Sequence, residues 1–303
     1  MSFEDGWSAI HLEMPRRVPH TEYSVENHWE VIKAVTGIEV TPQSPVEEKH
    51  AASLALVKAW NFDFFWNTLV YGDIFSKYKT DMGHAEFAAG GVDRRDSIFC
   101  PFETPEQVLG FDFLSTYGPC DQTGWKACFE QNYQDACRDM PDCVNMTGIY
   151  VTMISGFIDI FGWEMLLLAA GTDPLAFGML ANRYADFMMP YFEALADADV
   201  PVVMVHDDMV WTSGPIFAPK WYRQYVFPNF QRYFDPLRQS GKKIIFTSDG
   251  NYTQFIDDLV SCGVDGFVME PTTDMAYVAE KFGNTHSFFW QCRYPHPTER
   301  QSL

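Results

Sequence analysis

The chain has 303 residues, 47% hydrophobic and 20% charged, which supplies a sizeable core for one large α/β domain or two ordinary ones and argues against disorder. A net charge of −20 with no basic stripe to offset it repels a phosphate backbone and makes nucleic acid a poor partner. The start, MSFEDGWSAIHLEMPRR, lacks the basic-then-apolar pattern of a signal peptide, and no run of about 18 apolar residues suggests a membrane span. The expectation is a cytoplasmic protein whose seven cysteines are reduced thiols.

Residues 1–50 read as largely irregular, with Pro15, Pro19, Pro42 and Pro45 and one predicted helix from about Ser24, as N-cap, to Thr36, closed by Gly37. Residues 47–60 spell an amphipathic helix, and FDFFWNTLV after it a buried strand. Residues 71–100, rich in glycine and charge, read as a long excursion of the kind that forms a lid. Thr104-Pro105-Glu106-Gln107 opens a helix. Residues 118–148 hold a helical stretch and a cysteine cluster without a CxxC pair, which gives metal binding there little support.

From Thr147 the pattern turns regular. GIYVTMISGF reads as a strand and Gly162 to Ala170 as a helix. Asp173-Pro174 opens a helix to about Asp197, and VPVVMVHDD is a strand. Helices follow from Ala218-Pro219 and on to Ser240-Gly241. KKIIFTSDG, VDGFVMEP and HSFFWQC are strands, separated by helices at Tyr252–Cys262 and Asp274–Phe282. Short apolar strands alternating with helices call for a parallel sheet, and no GxGxxG follows the first strand. The predicted fold is an α/β, TIM-type (β/α)8 barrel in a single domain, 1–303, with a decorated N-terminal third.

Chemistry in such barrels sits at the C-terminal ends of the strands. Four successive strands here end in ionisable groups: His206-Asp207-Asp208, Thr247-Ser248-Asp249-Gly250-Asn251, Glu270-Pro271 and Cys292-Arg293. One post-strand aspartate is often only a helix N-cap. Four together suggest a site, with Asp249, Glu270, His206 and Asp208 as candidate catalytic groups and Asp207 and Asn251 as candidate substrate contacts. Gathered acids raise one another's pKa or bind a cation, and Asp, Glu, Cys and His side chains can hold Zn²⁺ in a three-ligand site with an open position. Aromatics are 16% of the chain, so Trp66, Tyr71, Phe157, Trp163, Trp211 and Trp290 become candidate ring contacts for a flat or apolar ligand, with plain core packing as the alternative.

From about residue 147 to 293 the chain resembles the uroporphyrinogen decarboxylase superfamily. The resemblance lies in GWEMLLLAAGTDP, in VVMVHDDMVWTSGPIFAPKWYRQYVFPNFQRYFDPLRQSGKKIIFTSDGN and in DLVSCGVDGFVMEP. RVPHTEYSVENHWEVIKAVTG, AWNFDFFWN and KTDMG match more loosely. It implies a TIM-like barrel with its site at the mouth, and either of two chemistries. One is cofactor-free decarboxylation of uroporphyrinogen; the other is zinc-dependent methyl transfer between a small donor or thiol and a corrinoid protein. The decarboxylases carry an arginine-rich RQAGRY segment that grips the substrate's carboxylates, and Arg16-Arg17-Val18-Pro19 is a different motif. The methyltransferases bind zinc through His-x-Cys before Gly-Asn, where this chain has Thr247 and Asp249. The resemblance then implies Asp249, Glu270 and Cys292 as a chemically reasonable zinc site, with His206, His84 or His286 as a fourth contact. The expectation is a methyltransferase acting on a small substrate, with methoxylated aromatics as one class, and a corrinoid protein as partner. A carboxy-lyase and a non-catalytic binding barrel are the alternatives. Family members continue past the position of Leu303 with another helix and strand. The barrel is therefore expected to be incomplete at its C-terminal side, closed by the N-terminal third, or covered by a second subunit in a homodimer.

Overall fold

The computed structural model describes residues 1–22, 25, 28–81 and 98–290, with only the backbone of Trp290 described. Three helices come first: α1 (Phe3–Ile10), α2 (Trp29–Thr36) and α3 (Val46–Ala59). Strand β1 (Phe64–Phe65) precedes α4 (Pro105–Leu109), α5 (Phe113–Tyr117) and α6 (Gln122–Asp139). Then come β2 (Val144–Asn145), β3 (Thr147–Ile149), α7 (Ile154–Thr172), α8 (Pro174–Asp197) and β4 (Val202–His206). A small hairpin, β5 (Val210–Trp211) and β6 (Gly214–Pro215), leads to α9 (Pro219–Tyr225) and α10 (Phe227–Gln239). The chain continues through β7 (Lys243–Ser248), α11 (Ile256–Cys262), β8 (Gly266–Met269), α12 (Met275–Phe282) and β9 (Ser287–Trp290).

The sheet is parallel in the order β3-β4-β7-β8-β9, and β1 pairs with β2, which runs into β3 through Met146. Side chains alternate across it as strand geometry requires. Val202, Met204, Ile245 and Val268 point inward and pack with Val144, Met146 and Phe64. Ile10 of α1 joins that inner cluster. Val203, Val205, Ile244, Phe246, Phe267 and Met269 point outward into the larger core beneath the helices. Strands covered on both faces must be apolar throughout, which is why they read as continuous runs.

An (β/α)8 barrel has eight strands in a closed ladder. Among the described residues the ladder ends at β9, and rings rather than backbone bonds close the seam to β1. Phe289 meets Phe64 at 4.7 Å and Trp66 at 4.8 Å between centroids. The α/β parallel architecture is thus observed, while a complete barrel is not.

Local signals set many boundaries. Thr104 and Gln107 form a capping box on α4, and Asp173 accepts from Leu175 N and Ala176 N at the start of α8. Gly37 and Gly263 end α2 and α11 in the left-handed conformation. Helix α2 starts at Trp29; Ser24, its expected cap, lies outside the described residues, as does most of the expected lid. GIYVTMISGF is strand only as far as Ile149, and helix begins at Ile154. Helix α7 is long and apolar enough, by length and composition, to cross a membrane. It is broken at Gly162, where φ is 70°, and Ile154, Phe157, Ile160, Phe161 and Leu166 bury into the core.

Candidate active site

The inward phase of the strands decides which polar side chains meet. Met204 and His206 share the inner face of β4, so the same phase carries Asp208 inward and Asp207 outward. His206 pairs with Thr247 in register, and Thr247 with Val268. Asp249 and Glu270, two residues beyond Thr247 and Val268, extend the inner face past the strand ends. There Asp208, Asp249 and Glu270 line a cavity of about 770 Å³ with Gly250, Trp163, Val210, Trp211, Thr212 and Ser213.

Each acid is held differently. His206 is buried, stacks on the Tyr150 ring at 3.9 Å and 10°, and sets its Nε2 3.2 Å from Asp208 Oδ1. Asp249 N donates to Asp208 Oδ1 at 3.4 Å, and Gly250 N donates to Glu270 Oε2 at 2.7 Å. Gly250 has φ of 81°, and a Cβ there would stand 2.7 Å from the Trp211 carbonyl. Glycine alone allows that turn and that approach. Asn251 N then donates to Trp211 O at 3.0 Å, so the loop after β7 fixes the hairpin that carries Trp211.

The electrostatics follow from crowding. Burial pushes the Asp249 carboxyl up to about 6, and the charges of Asp208 and Glu270 add to this while His206 opposes it. Burial alone would lower the His206 pKa. The neighbouring Asp208, with Asp249 and Asp207, outweighs burial and raises it above the ordinary value. No Lys or Arg stands among the described lining residues.

Several expected contacts lie elsewhere. Asp207 is buried; its Oδ1 accepts from Met153 N at 3.0 Å and Ser155 N at 2.8 Å, capping α7, so it positions the helix instead of lining the cavity. Burial pushes its carboxyl up to about 6. Asn251 turns its Oδ1 to Thr253 N and Oγ1. Phe157 is fully buried in the core, because helix and not strand begins at Ile154. Trp66 lines a separate cavity of about 730 Å³ at the seam. Tyr71 stacks on Tyr150 at 5.1 Å, behind the His206 ring. His286 precedes β9 at the opposite end of the strands and lines the seam cavity, so it cannot serve as a fourth ligand at the mouth. His84 and Cys292 lie outside the described residues. Among the described residues no three His, Cys, Asp or Glu side chains are disposed as a metal set.

Trp163 and Trp211 do reach the mouth, 5.9 Å apart at 46°. Strand-end reasoning missed Tyr150 and the Thr212–Ser213 turn. Two signals could have found them: the register that puts Tyr150 beside His206, and the Ser213-Gly214 turn dipeptide.

Residues 146–288 match the family model described as uroporphyrinogen decarboxylase (URO-D). A curated uroporphyrinogen decarboxylase from Pseudoalteromonas atlantica (strain T6c / ATCC BAA-1087) is 27% identical over 120 residues. That match covers 38% of this chain and 32% of the relative, so it spans about a third of the relative's length. A methyltransferase from Methanosarcina mazei superposes with a TM-score of 0.56 at 15% identity, covering 97% of this chain and 85% of that one, and shows the same fold. Residues 146–288, a little under half of the chain, are thus similar to the uroporphyrinogen decarboxylase family.

Proposed function

We propose that the chain is a methyltransferase, moving a methyl group between a small substrate in the mouth cavity and a corrinoid carried by a partner protein. The observation that carries this reading is the cavity wall: three carboxylates, two indoles, and no arginine or lysine among its described lining residues. A polycarboxylate porphyrinogen would meet repulsion there. The two arginines of the Arg16-Arg17-Val18-Pro19 segment are engaged at the opposite end of the strands. Arg16 bonds Asp5, and Arg17 grips Asp63 at 2.7 and 2.6 Å. The likeness in fold to a methyltransferase along 97% of the chain agrees with this choice.

A methyl group leaves readily only from a heteroatom that carries positive charge. Asp208, Asp249 and Glu270 would favour that charged form and hold it at the wall. As the bond from methyl carbon to heteroatom breaks, the heteroatom keeps the electron pair, and the methyl carbon bonds to the acceptor. Where the heteroatom starts neutral, it needs a proton first, and the His206–Asp208 pair lies at the cavity to supply one. A corrinoid would provide the nucleophile that accepts the methyl group. Zinc on Asp249, Glu270 and Cys292 remains part of the proposal from the resemblance. The described residues do not by themselves make a three-ligand set, and no step above is routed through a metal.

The test is incubation of the protein with a reduced corrinoid protein and a panel of methyl donors, followed by the cobalt absorbance. Donor-dependent methylation of the corrinoid supports the reading. Decarboxylation of a porphyrinogen, with no corrinoid methylation from any donor, overturns it.

A further inference from the structure

We propose that the mouth cavity binds an organic ammonium cation bearing N-methyl groups, and that this cation is the methyl donor; the second clause rests on the methyltransferase reading. Three independent features converge. Asp208 and Glu270 stand on one wall with Asp249, and their like charges add to burial in raising it, so the potential at Asp249 is negative. Trp163 and Trp211, in contact with each other at 46° with centroids 5.9 Å apart, both line the cavity and offer indole surface to a methylated ammonium at the wall. A cation within about 6 Å of an indole centroid is attracted by the ring quadrupole, most strongly where water is thinned out. Beneath Asp249, on the same inward face of β7, Thr247 is only 3% exposed and its Oγ1 has no hydrogen-bond partner. An unmet buried hydroxyl at the floor is a polar group awaiting a ligand or an ordered water.

Without Cys292, which lies outside the described residues, the wall's own groups suit a methylated ammonium better than a bare metal ion. A small divalent ion needs carboxylates converging at about 2.0–2.6 Å. Here, among the described residues, no three such groups are disposed to hold one, and two are partly committed, Asp208 to His206 and Glu270 to Gly250 N. A methylated ammonium is broad, weakly hydrated and satisfied by a diffuse negative wall. The methoxylated aromatics expected from ring content are a poorer match. Of the rings nominated for them, Phe157 is core and Trp66 faces the seam. A quaternary ammonium also needs no proton to leave: the C–N bond breaks, nitrogen keeps the pair, and a neutral tertiary amine departs.

The experiment is calorimetric titration of the full chain with choline, a soluble trimethylammonium, and with 3,3-dimethyl-1-butanol, its uncharged isostere, at pH 8. Choline is expected to bind at least about 10-fold more tightly than the isostere. Trp211→Ala and Asp249→Asn should each weaken choline by roughly 3–10-fold, the size of one cation–π or charge contact. Trp211 is 45% exposed, so its truncation leaves the core intact. Equal or tighter binding of the isostere, or indifference to both substitutions, overturns the proposal. Corrinoid methylation from another donor without choline binding overturns the cation and leaves methyl transfer standing. Choline binding with no methyl transfer from any donor supports the cation site and overturns its role as donor together with the methyltransferase reading.

Discussion

The two ends of the strands treat the same residue type in opposite ways. At the base, Asp63 is fully buried and accepts from Ser2 N, His20 N and both terminal nitrogens of Arg17 at 2.6–2.7 Å. Beside it, the Arg16 hydrogen bond lowers Asp5 to about 2 against the opposing effect of burial. At the mouth, Asp208, Asp249 and Glu270 line one cavity with no lysine or arginine among its described lining residues, and Asp249 rises to about 6. Charge at the base is neutralised, so it stabilises. At the mouth, Asp208 and Glu270 raise Asp249 further, so among the described groups like charges crowd one another and create a potential that a ligand can use. Sites of this kind are where perturbed acids gather.

The largest effect should come from breaking the base. Asp63→Ala strands the Arg17 guanidinium and two further donors, Ser2 N and His20 N, and should cost about 3–5 kcal/mol in a urea unfolding curve. If the loss is below about 1 kcal/mol, the base is not the neutral anchor described here. Gly250→Ala probes the joint between β7 and the hairpin. The left-handed turn and the contact with Trp211 should together cost about 1–3 kcal/mol, and the Trp211 fluorescence should shift. An unchanged spectrum would mean that the loop does not fix the indole.

The pH dependence separates the ends by sign. Asp207 and Asp249 have folded pKa values near 6, above their unfolded values near 4. The folded state therefore binds more protons in that window, and stability falls as pH rises from about 4 to 6. Asp5, lowered to about 2, contributes stability above about 4 that is lost as pH falls towards 2. Melting temperature against pH should thus pass through a maximum near 4. Asp249→Asn should flatten part of the limb above it. Cation binding should strengthen over that same limb as Asp249 ionises, opposed there by His206 and crowded by Asp208 and Glu270. A variant with an unaltered upper limb would place the titrating group elsewhere.

Legibility in the sequence followed burial. The strands β4, β7, β8 and β9 are covered on both faces, so each is an apolar run with a polar end, and Asp173-Pro174 and Asp274 mark helix starts outright. The N-terminal third lacks such signals. Helix α1 is eight residues with Glu4 and Asp5 in its first turn, capped by Ser2 at the very start of the chain, and its period is too short to show. Strand β1 keeps two residues of FDFFWNTLV because the run leaves the ladder after Phe65, touching it again only at Val70. At the site, the acids were visible because strand ends collect them. Asp207 and Asp208 read alike as a strand-end pair, but neighbours on a strand face opposite ways, and the phase of Met204 and His206 separates them. Reading GIYVTMISGF as one strand carries Phe157 to the mouth, whereas Ser155 and Gly156 lie in a helix that starts at Ile154.

The most direct test of the mouth as the working site is Asp249→Asn, with methyl transfer and melting temperature measured on one preparation at pH 7. Activity should fall about 100-fold or more, while the melting temperature stays level or rises as like-charge crowding is relieved. Unchanged activity, or activity and stability falling together, would contradict the claim that the surplus acid charge at the mouth serves chemistry and not the fold.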